Sequence, residues 1–352
     1  MLREPPVAMS ALRAAAAALD VPQRAHHAGH GAAFAINVTP VERILRRSDV
    51  VALGEFRCPV DHPQFAGGGP QACPYIVFSR SSVRIAPLDG KPEVRTPNIV
   101  GLYNVGDVYA RQAISAEGDR CDWIALAPQV LRDIGARLDP ELGDGRNRIF
   151  ARRTAPAPTR LYLDQRRLFR ALHDDAHLSM LEVEECSIAI AEAALASALY
   201  LSPGRRRRRR NAAGSRAPAI VDATRAILAR EFASPLLIGD IAKRVHCSPG
   251  YLSRLFRNLT GFSLHDYQQQ LRLRSSLALL LDARRDLSGL AVLLGYANHS
   301  HFSSVFRRQF GITPTEFAQR RSLSVLRESG LALDDAARAA ARRATSQNRT
   351  GS

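Results

Sequence analysis

The C-terminal third of this chain contains one pattern of residues twice. Apolar positions with helical spacing recur after 49 residues: Ile238, Ile241, Ala242 and Val245 match Leu287, Leu290, Ala291 and Leu294. A second set recurs after 50 residues: Leu252, Ser253, Leu255, Phe256, Arg257 and Gly261 match Phe302, Ser303, Val305, Phe306, Arg307 and Gly311. Because the two segments share their apolar pattern, we expect them to fold into two similar units.

Each copy predicts a short helix, a tight turn and a second helix. Gly261 and Gly311 stand where a glycine commonly ends a helix. Ser248 followed by Pro249 is typical of a helix start, with a capping side chain before proline at the first helical position. The change of offset from 49 to 50 predicts one additional residue in the second turn. Together these elements form a helix-turn-helix unit, whose second helix enters the major groove of DNA.

A continuous helix is predicted between the two units, from Leu264 to Asp282. Its 19 residues span roughly 28 Å at about 1.5 Å per residue. One turn of DNA is about 34 Å long. We therefore expect a rigid connector that places two recognition helices in successive major grooves. Arg272 and Arg274 on this helix either remain exposed or bridge the units.

The polar residues opposite the apolar stripes are the candidates for DNA contact. Residues near the start of a recognition helix reach base edges, and later basic residues contact phosphate. The candidates for base contact are Gly250, Tyr251, Ser253, Arg254, His299, Ser300, Ser303 and Ser304. The candidates for phosphate contact are Arg257, Asn258, Arg307 and Arg308. The predicted structural core of the units is Ala242, Leu252, Phe256, Gly261, Ala291, Gly295, Phe302, Phe306, Gly311 and Pro314.

The charge of the chain is concentrated in the same region. Residues 1–204 carry 23 basic and 23 acidic side chains, so the formal net charge of +16 resides after residue 204. Six consecutive arginines, Arg205–Arg210, lie in a segment that we interpret as a linker over residues 201–218. This distribution favours a polyanionic partner for the C-terminal part alone.

The preceding part of the chain predicts an α+β domain over residues 36–200. Short apolar runs at Val50–Phe56, Tyr75–Ser79, Ile99–Asn104 and Asp122–Leu126 are separated by turn-forming residues, which is typical of a sandwich or small barrel that can enclose one ligand. Helical spacing follows over residues 160–200, with Leu181, Ile188, Leu195 and Leu199 spaced as a seam. These helices either cover the β-domain or pair two protomers. Residues 1–35 are interpreted as a flexible leader and residues 322–352 as a tail.

The residues of the β-domain offer little for catalysis. Cys58, His62, Cys73 and Cys121 are too loosely spaced for a typical metal site, although a metal or a thiol redox switch stays an alternative. Three histidines of the leader, His26, His27 and His30, are interpreted as low-complexity sequence. Asp119 and Asp122 flank Cys121 and either tune a site there or mark a β-turn, which is the interpretation we favour. Because no phosphate-binding loop or nucleophile elbow is present, the sequence predicts neither an enzyme nor a cofactor.

At this point the sequence resembles the arabinose-regulator (AraC/XylS) family of bacterial transcription factors over about residues 219–321. The second unit of that family is matched by GYANHSHFSSVFRRQFGITPTEF (Gly295–Phe317), and the first by IAKRVHCSPGYLSRLFRNLTGFSLHDY (Ile241–Tyr267). The segments Ile76–Ile85, Pro97–Arg111 and Gly118–Trp123 resemble the cupin-like sensor barrel of many such proteins. Two positions depart from the family pattern: Ser276 replaces an alanine, and Ser304 replaces a residue that is often basic.

The resemblance implies a sequence-specific, one-component transcription regulator. Its implied partners are double-stranded DNA, a small-molecule effector at the N-terminal domain, a second copy of the chain, and RNA polymerase. Few cysteines and the lack of a run of about 20 apolar residues predict a cytoplasmic protein without a membrane partner. One alternative is a ligand-binding or enzymatic cupin-like protein with an accessory nucleic-acid-binding domain. Another is an RNA or membrane-surface binder acting through Arg205–Arg210, but no aromatic stacking platform accompanies these arginines.

Overall fold

A computed structural model describes residues 41–139, 148–174, 178–201, 216–282 and 286–319. The predicted leader with its three histidines, most of the predicted linker with Arg205–Arg210, and the predicted tail lie outside these residues. The described residues form a β-rich part, a group of helices that follows it, and a helical C-terminal part. This is the α+β arrangement predicted from the sequence.

The β-rich part consists of two antiparallel sheets. The strands are β1 (Glu42–Arg47), β2 (Val51–Cys58), β3 (Gly67–Gly68), β4 (Tyr75–Ser79), β5 (Val83–Pro87), β6 (Glu93–Arg95), β7 (Ile99–Tyr103), β8 (Tyr109–Ala113), β9 (Asp119–Leu126) and β10 (Thr154–Pro156). One sheet has the order β1-β2-β9-β4-β7-β10 and the other the order β3-β8-β5-β6. Phe56 and Trp123 of the first sheet share a hydrophobic cluster with Val83 and Ile85 of the second, so the two inner faces meet. The predicted β-rich domain is confirmed, and the likeness to a cupin stays a prediction.

Strand β9 shows why both faces of the larger sheet are covered. Successive side chains of a strand point to opposite faces. Cys121 and Trp123 accordingly pack between the sheets, whereas Ile124 and Leu126 pack in a separate cluster with the helices. The predicted β-turn around Asp119 and Asp122 is therefore wrong, because both residues lie within the strand.

Three helices of the N-terminal part contribute to the cluster on the outer face of the larger sheet: α1 (Pro128–Leu138), α2 (Thr159–His173) and α3 (Met180–Ala196). Helix α3 begins with a capping box, in which the Ser179 side chain accepts from the Glu182 backbone and Glu182 accepts from the Ser179 backbone. It continues into a π-helical turn, Ser197–Leu201. The residues of the predicted seam do not share one environment: Leu195 is buried in this cluster, whereas Leu181 is 63% exposed. These helices thus cover the sheet, which was one of the two predicted roles.

The C-terminal part is helical throughout its described residues. Its helices are α4 (Ala217–Glu231), α5 (Ile238–Arg244), α6 (Pro249–Thr260), α7 (Leu264–Asp282), α8 (Leu287–Leu293), α9 (His299–Phe310) and α10 (Pro314–Gln319). Helix α7 has the predicted bounds. Helix α4 begins at Ala217, inside the segment assigned to the linker. No helix in the described ranges has both the length and the apolar character needed to cross a bilayer.

One hydrophobic cluster extends from the N-terminal part into the C-terminal part. Leu53 and Phe169 belong to the same cluster as Leu277 of α7 and Phe306 of α9. The first half of the helical region has its own cluster, which includes Phe256 and Leu271. Helix α7 therefore contributes to two cores, and the second of them is continuous with the N-terminal domain.

We expect Leu277→Ala to reduce the stability of the folded chain markedly. Leu277 is fully buried in the shared cluster, and truncating such a leucine to alanine typically costs about 2–5 kcal/mol because a cavity remains. The melting temperature of the full chain measures the effect. Val292→Ala is the matched control, because Val292 is 67% exposed and surface changes usually stay within about 0.5 kcal/mol. Equal melting temperatures for the two variants would contradict the shared core.

Candidate nucleic-acid interface

The two helix pairs have the same turn geometry. We call α5 and α6 unit 1, and α8 and α9 unit 2. In unit 1 the Cys247 backbone N–H donates to the carbonyl of Ala242, and in unit 2 the Tyr296 N–H donates to the carbonyl of Ala291. Four residues separate the helices of unit 1 and five separate those of unit 2. The predicted additional residue is confirmed, and it lies between Tyr296 and the cap of α9.

The residue that reverses the chain in each turn has a left-handed backbone conformation. It is His246 in unit 1, with φ 54°, and Gly295 in unit 2, with φ 79°. A Cβ atom at Gly295 would lie 1.9 Å from the carbonyl oxygen of Ala233. Glycine is therefore required where the turn of unit 2 packs against the segment between α4 and α5, in addition to its usual preference for positive φ.

Both recognition helices begin and end with side-chain or backbone caps. Ser248 accepts from the Tyr251 N–H at the start of α6, and Asn298 accepts from the His301 N–H at the start of α9. Each helix ends at a glycine with a left-handed backbone, Gly261 and Gly311. These caps fix where each helix starts, and hence which side chains stand in its first turn.

The structure leaves almost all the candidate DNA-contacting residues at the surface. In unit 1 all of them are exposed: Gly250, Tyr251, Ser253, Arg254, Arg257 and Asn258. In unit 2 four are exposed, namely Ser300, Ser304, Arg307 and Arg308, and two are half-buried, His299 and Ser303. The half-buried pair is connected, because the Ser303 hydroxyl lies 3.1 Å from His299 Nε2. The two sets lie opposite the buried stripes of α6 and α9.

The residues assigned to the core of the units occupy three kinds of position. Seven are buried: Ala242, Leu252, Phe256, Ala291, Phe302, Phe306 and Pro314. Gly261 and Gly311 are exposed caps, and Gly295 is the half-buried turn residue described above. Aromatic rings fill unit 2, where the Phe306 ring centroid lies 4.6 Å from that of Phe310.

Four arginines on the recognition helices have no ion pair within the described residues. They are Arg254, Arg257, Arg307 and Arg308, all exposed. Arg244 at the end of α5 contrasts with them, because it binds Glu231 at 2.6 Å. A guanidinium without an internal carboxylate keeps its hydrogen-bond donors available for phosphate or for a guanine edge. The exposed side of the two units therefore presents uncompensated positive charge.

Arg272 joins the two units. Its guanidinium donates to the Phe232 carbonyl at 2.6 Å and to the Ser234 carbonyl at 3.1 Å, beside unit 1, and to the Gly295 carbonyl of unit 2 at 2.9 Å. It also lies over the Tyr296 ring, 5.7 Å from the centroid. Of the two predicted roles for Arg272, bridging the units is the one observed. Ser276, which replaces an alanine of the family pattern, is fully buried, and its hydroxyl group donates a hydrogen bond to the Leu273 carbonyl.

Arg274 instead joins the C-terminal part to the N-terminal domain. It donates to the carbonyls of Pro97 and Ala157 and lies 4.8 Å from the centroid of the Tyr162 ring. Burial lowers the pKa of Arg274 to about 10, so the guanidinium stays charged at neutral pH. Arg274 was predicted to be exposed or to bridge the units, and both expectations are wrong. The role of Arg274 could not be predicted from the sequence, because its partners Pro97 and Ala157 belong to the other domain.

The three cysteines considered for a metal or redox site are buried inside the N-terminal domain. Within the described ranges, no three His, Cys, Asp or Glu side chains are placed to hold a metal ion. Cys58, Cys73 and Cys121 are buried, and burial raises the pKa of each thiol, that of Cys73 to about 11. His62 accepts from the Gln64 N–H in a loop. Protonated thiols are poor metal ligands and slow nucleophiles.

The buried aspartates are held by arginines that are distant in sequence. Asp122 accepts from Arg80 at 3.2 Å and from Arg166 at 2.6 Å. Burial alone would raise the pKa of Asp122, but the two guanidinium groups outweigh it and lower that pKa. Asp119 pairs with Arg111 at 3.4 Å, and burial raises the pKa of Asp119. Both aspartates are therefore paired with arginines inside the N-terminal domain.

Two capped helix-turn-helix units on one connecting helix define a DNA-binding protein of the tandem helix-turn-helix class. A helix-turn-helix domain model matches residues 241–320. The regulatory protein SoxS of Escherichia coli is 41% identical over 86 residues, which cover 24% of this chain and 80% of SoxS. The transcriptional activator RhaR of Mannheimia succiniciproducens is 30% identical over 83 residues, covering 24% of this chain and 30% of RhaR.

Similarity to solved structures is found in the same region. An AraC-type DNA-binding regulator from Chromobacterium violaceum is 28% identical with a TM-score of 0.29, covering 30% of this chain and 95% of that one. The identity to SoxS over most of its length places the chain plainly in the AraC-type family of transcription regulators.

We expect Gly295→Ala to destabilise the contact between unit 2 and the segment before α5. An alanine there combines a left-handed backbone, which costs about 1–2 kcal/mol, with a steric clash that typically costs about 1–3 kcal/mol. The melting temperature of the full chain should fall by several degrees. Gly239→Ala is the control, because a Cβ at Gly239 meets nothing within 4 Å. A melting temperature for Gly295→Ala equal to that of Gly239→Ala would refute the close approach.

Proposed function

We propose that this transcription regulator reads DNA with both units at once, placing α6 and α9 in successive major grooves on one side of the duplex. The carrying observation is that both recognition helices expose their polar faces while α7 and Arg272 hold the two units together. Helix α7 has 19 residues, or roughly 28 Å at about 1.5 Å per residue. This length is close to the groove repeat of about 34 Å.

The exposed residues divide into two roles. Tyr251, Ser253 and Arg254 in the first half of α6, with Gly250, stand where base edges are read, as do His299, Ser300, Ser303 and Ser304 in α9. Arg257, Asn258, Arg307 and Arg308 come later and suit phosphate contacts. Because Ser304 is a short neutral side chain, unit 1 with Arg254 supplies more of the sequence discrimination.

The remaining roles concern regulation. The N-terminal domain senses a small molecule, and its contacts with α7 through Arg274 support a mechanical connection to the DNA-binding units. A second copy of the chain, paired through α3 with its exposed Leu181, and RNA polymerase are further proposed partners. The chain acts on DNA in the cytoplasm and catalyses no reaction. The relatives named above, which are regulatory proteins, support this reading.

Footprinting on DNA fragments recovered by genome-wide mapping of bound sites tests the tandem geometry. We expect protection of two adjacent major-groove segments about one helical turn apart, on the same face of the duplex. The reason is that a rigid connector fixes the separation of α6 and α9. Protection of one segment only, with the full-length protein saturating the site, would overturn the proposal.

Arg254→Ala and Arg307→Ala should have different effects on DNA binding. If Arg254 reads a guanine edge, its loss costs about 1–3 kcal/mol on the mapped site and little on unrelated DNA. If Arg307 contacts phosphate, its loss lowers the affinity for specific and random DNA by a similar factor. It also reduces the slope of log affinity against log salt concentration by about 1. Binding isotherms at several salt concentrations, on specific and random DNA, measure both effects.

Arg132→Ala controls for the loss of one positive charge, because Arg132 lies exposed on α1, and its hydrogen bonds within the described residues go to the Gln129 side chain. It should leave both affinities unchanged. If Arg254→Ala instead weakens specific and random DNA equally, its assignment to base reading is wrong.

A further inference from the structure

The C-terminal end of recognition helix α6 lies beside the N-terminal domain. Leu259 and Thr260, in the last turn of α6, line a cavity whose other wall includes Lys91 and Arg152. Lys91 belongs to the segment just before β6, and Arg152 to the segment just before β10. Two cations of the N-terminal domain are therefore close to the end of the helix that is proposed to read DNA in unit 1.

Neither cation is paired within the described part of the chain. Lys91 is exposed and Arg152 is half-buried, and no described carboxylate or carbonyl group binds either side chain. Neighbouring Arg153 differs from them, because it binds Asp89 at 2.5 Å. A cation without an internal acceptor keeps its donors available for an external anion.

The acidic groups on the same wall are already neutralised by the protein. Asp222 of α4 accepts from Arg84 and from the Val94 backbone N–H. Glu93 of β6 accepts from Arg225 of α4 at 2.9 Å. Because both carboxylates of the lining are satisfied, the two unpaired cations give this surface an excess of positive charge.

Glu93 fixes the position of both cations relative to unit 1. One of its oxygens accepts from the Thr154 hydroxyl at 3.3 Å, and the other accepts from Arg225 at 2.9 Å. Lys91 stands two residues before Glu93, and Arg152 stands two residues before Thr154. Since α4 shares its hydrophobic core with α6, the segments that carry the two cations are held against the recognition helix through this contact.

The phosphate-contact candidates of unit 1 adjoin the same surface. Arg257 and Asn258 are exposed and directly precede Leu259, which lines the cavity. DNA carries one negative charge per about 1.7 Å of its axis, so a backbone that reaches Arg257 continues with further phosphates beyond it. Positive groups from both domains therefore surround the end of α6.

We propose that Lys91 and Arg152 bind phosphates of the DNA backbone next to those that unit 1 contacts. The N-terminal domain then forms part of the DNA interface, and DNA stabilises the docked arrangement of the two domains. Phosphate contacts carry no sequence information, so these two residues raise the affinity for any sequence. This inference rests on the proposed function, because it requires α6 to lie in the major groove.

The variant Lys91→Ala/Arg152→Ala tests the contact in the full-length protein. The slope of log affinity against log salt concentration should fall by about 2, because each phosphate contact contributes about 0.9. At about 0.1 M salt the affinity for mapped and random DNA should fall by a similar factor, of at least about ten. An affinity and a salt slope equal to those of the parent would overturn the inference.

Three further variants separate the charge of the two residues from other effects. Arg43→Ala/Arg132→Ala removes two exposed cations elsewhere in the N-terminal domain, with Arg43 on β1 at the opposite edge of the larger sheet from β10. Lys91→Arg/Arg152→Lys keeps both charges. Both of these variants should bind DNA as the parent does, whereas Lys91→Gln/Arg152→Gln, which keeps most of each side-chain stem, should repeat the loss. Equal losses in the charge-keeping and alanine variants would refute the phosphate contact.

Hydroxyl-radical footprinting on the mapped sites locates the contact. The Lys91→Ala/Arg152→Ala variant should lose protection at backbone positions next to those that Arg257→Ala exposes. Neutral methylphosphonate groups at the same positions should weaken the parent and leave the variant unchanged, because the variant has no cation there to lose a partner. Equal weakening of the parent and the variant by these groups would contradict the assignment.

The same footprints distinguish a failure of this inference from a failure of the proposed function. If parent and variant both protect two adjacent major-groove segments with equal salt slopes, only the contact by the N-terminal domain is wrong. If the parent protects a single segment at saturation, the tandem geometry itself is wrong, whatever the variant does.

Discussion

Helix α7 has no exposed residue from Tyr267 to Leu280, because three parts of the chain pack around it. Leu271 belongs to the core of unit 1, Leu277 to the core that unit 2 shares with the N-terminal domain, and Arg274 reaches backbone carbonyls of that domain. The position of each recognition helix is consequently set through this one element. A helix buried on all sides gains most of its stability from packing rather than from intrinsic propensity.

The duplicated region was largely predictable because its signals are local. Apolar spacing, Ser248 before Pro249, and Gly261 specify helices, starts and ends within a few residues, and the bounds of α7 followed from them. The positive φ of His246 was not foreseen, although the equivalent residue of unit 2 is a glycine, because a histidine indicates a left-handed backbone far less strongly than a glycine does. Whether α6 and α9 contact DNA through the predicted side chains stays a prediction.

The N-terminal domain was predictable in class but not in detail, for a physical reason. The turn predicted at Asp119 and Asp122 is a strand instead, and Arg80 and Arg166 neutralise Asp122 there from other elements. Strand β10 was not among the predicted apolar runs. It contains a proline, which is tolerated because the strand lies at the edge of its sheet. In both cases the decisive partner is distant in sequence, so local pattern carries no information about it.

The single additional residue in the second turn has a consequence for how such a protein sits on a promoter. Unit 1 and unit 2 differ in turn length, and only unit 2 shares its core with the N-terminal domain. Unit 1 and unit 2 are therefore not related by a two-fold axis, unlike the two subunits of a symmetric dimer on a palindromic site. Under the tandem binding proposed above, a protomer built in this way gives its binding site a head and a tail, and reversing the site would turn the N-terminal domain to face the opposite direction along the gene.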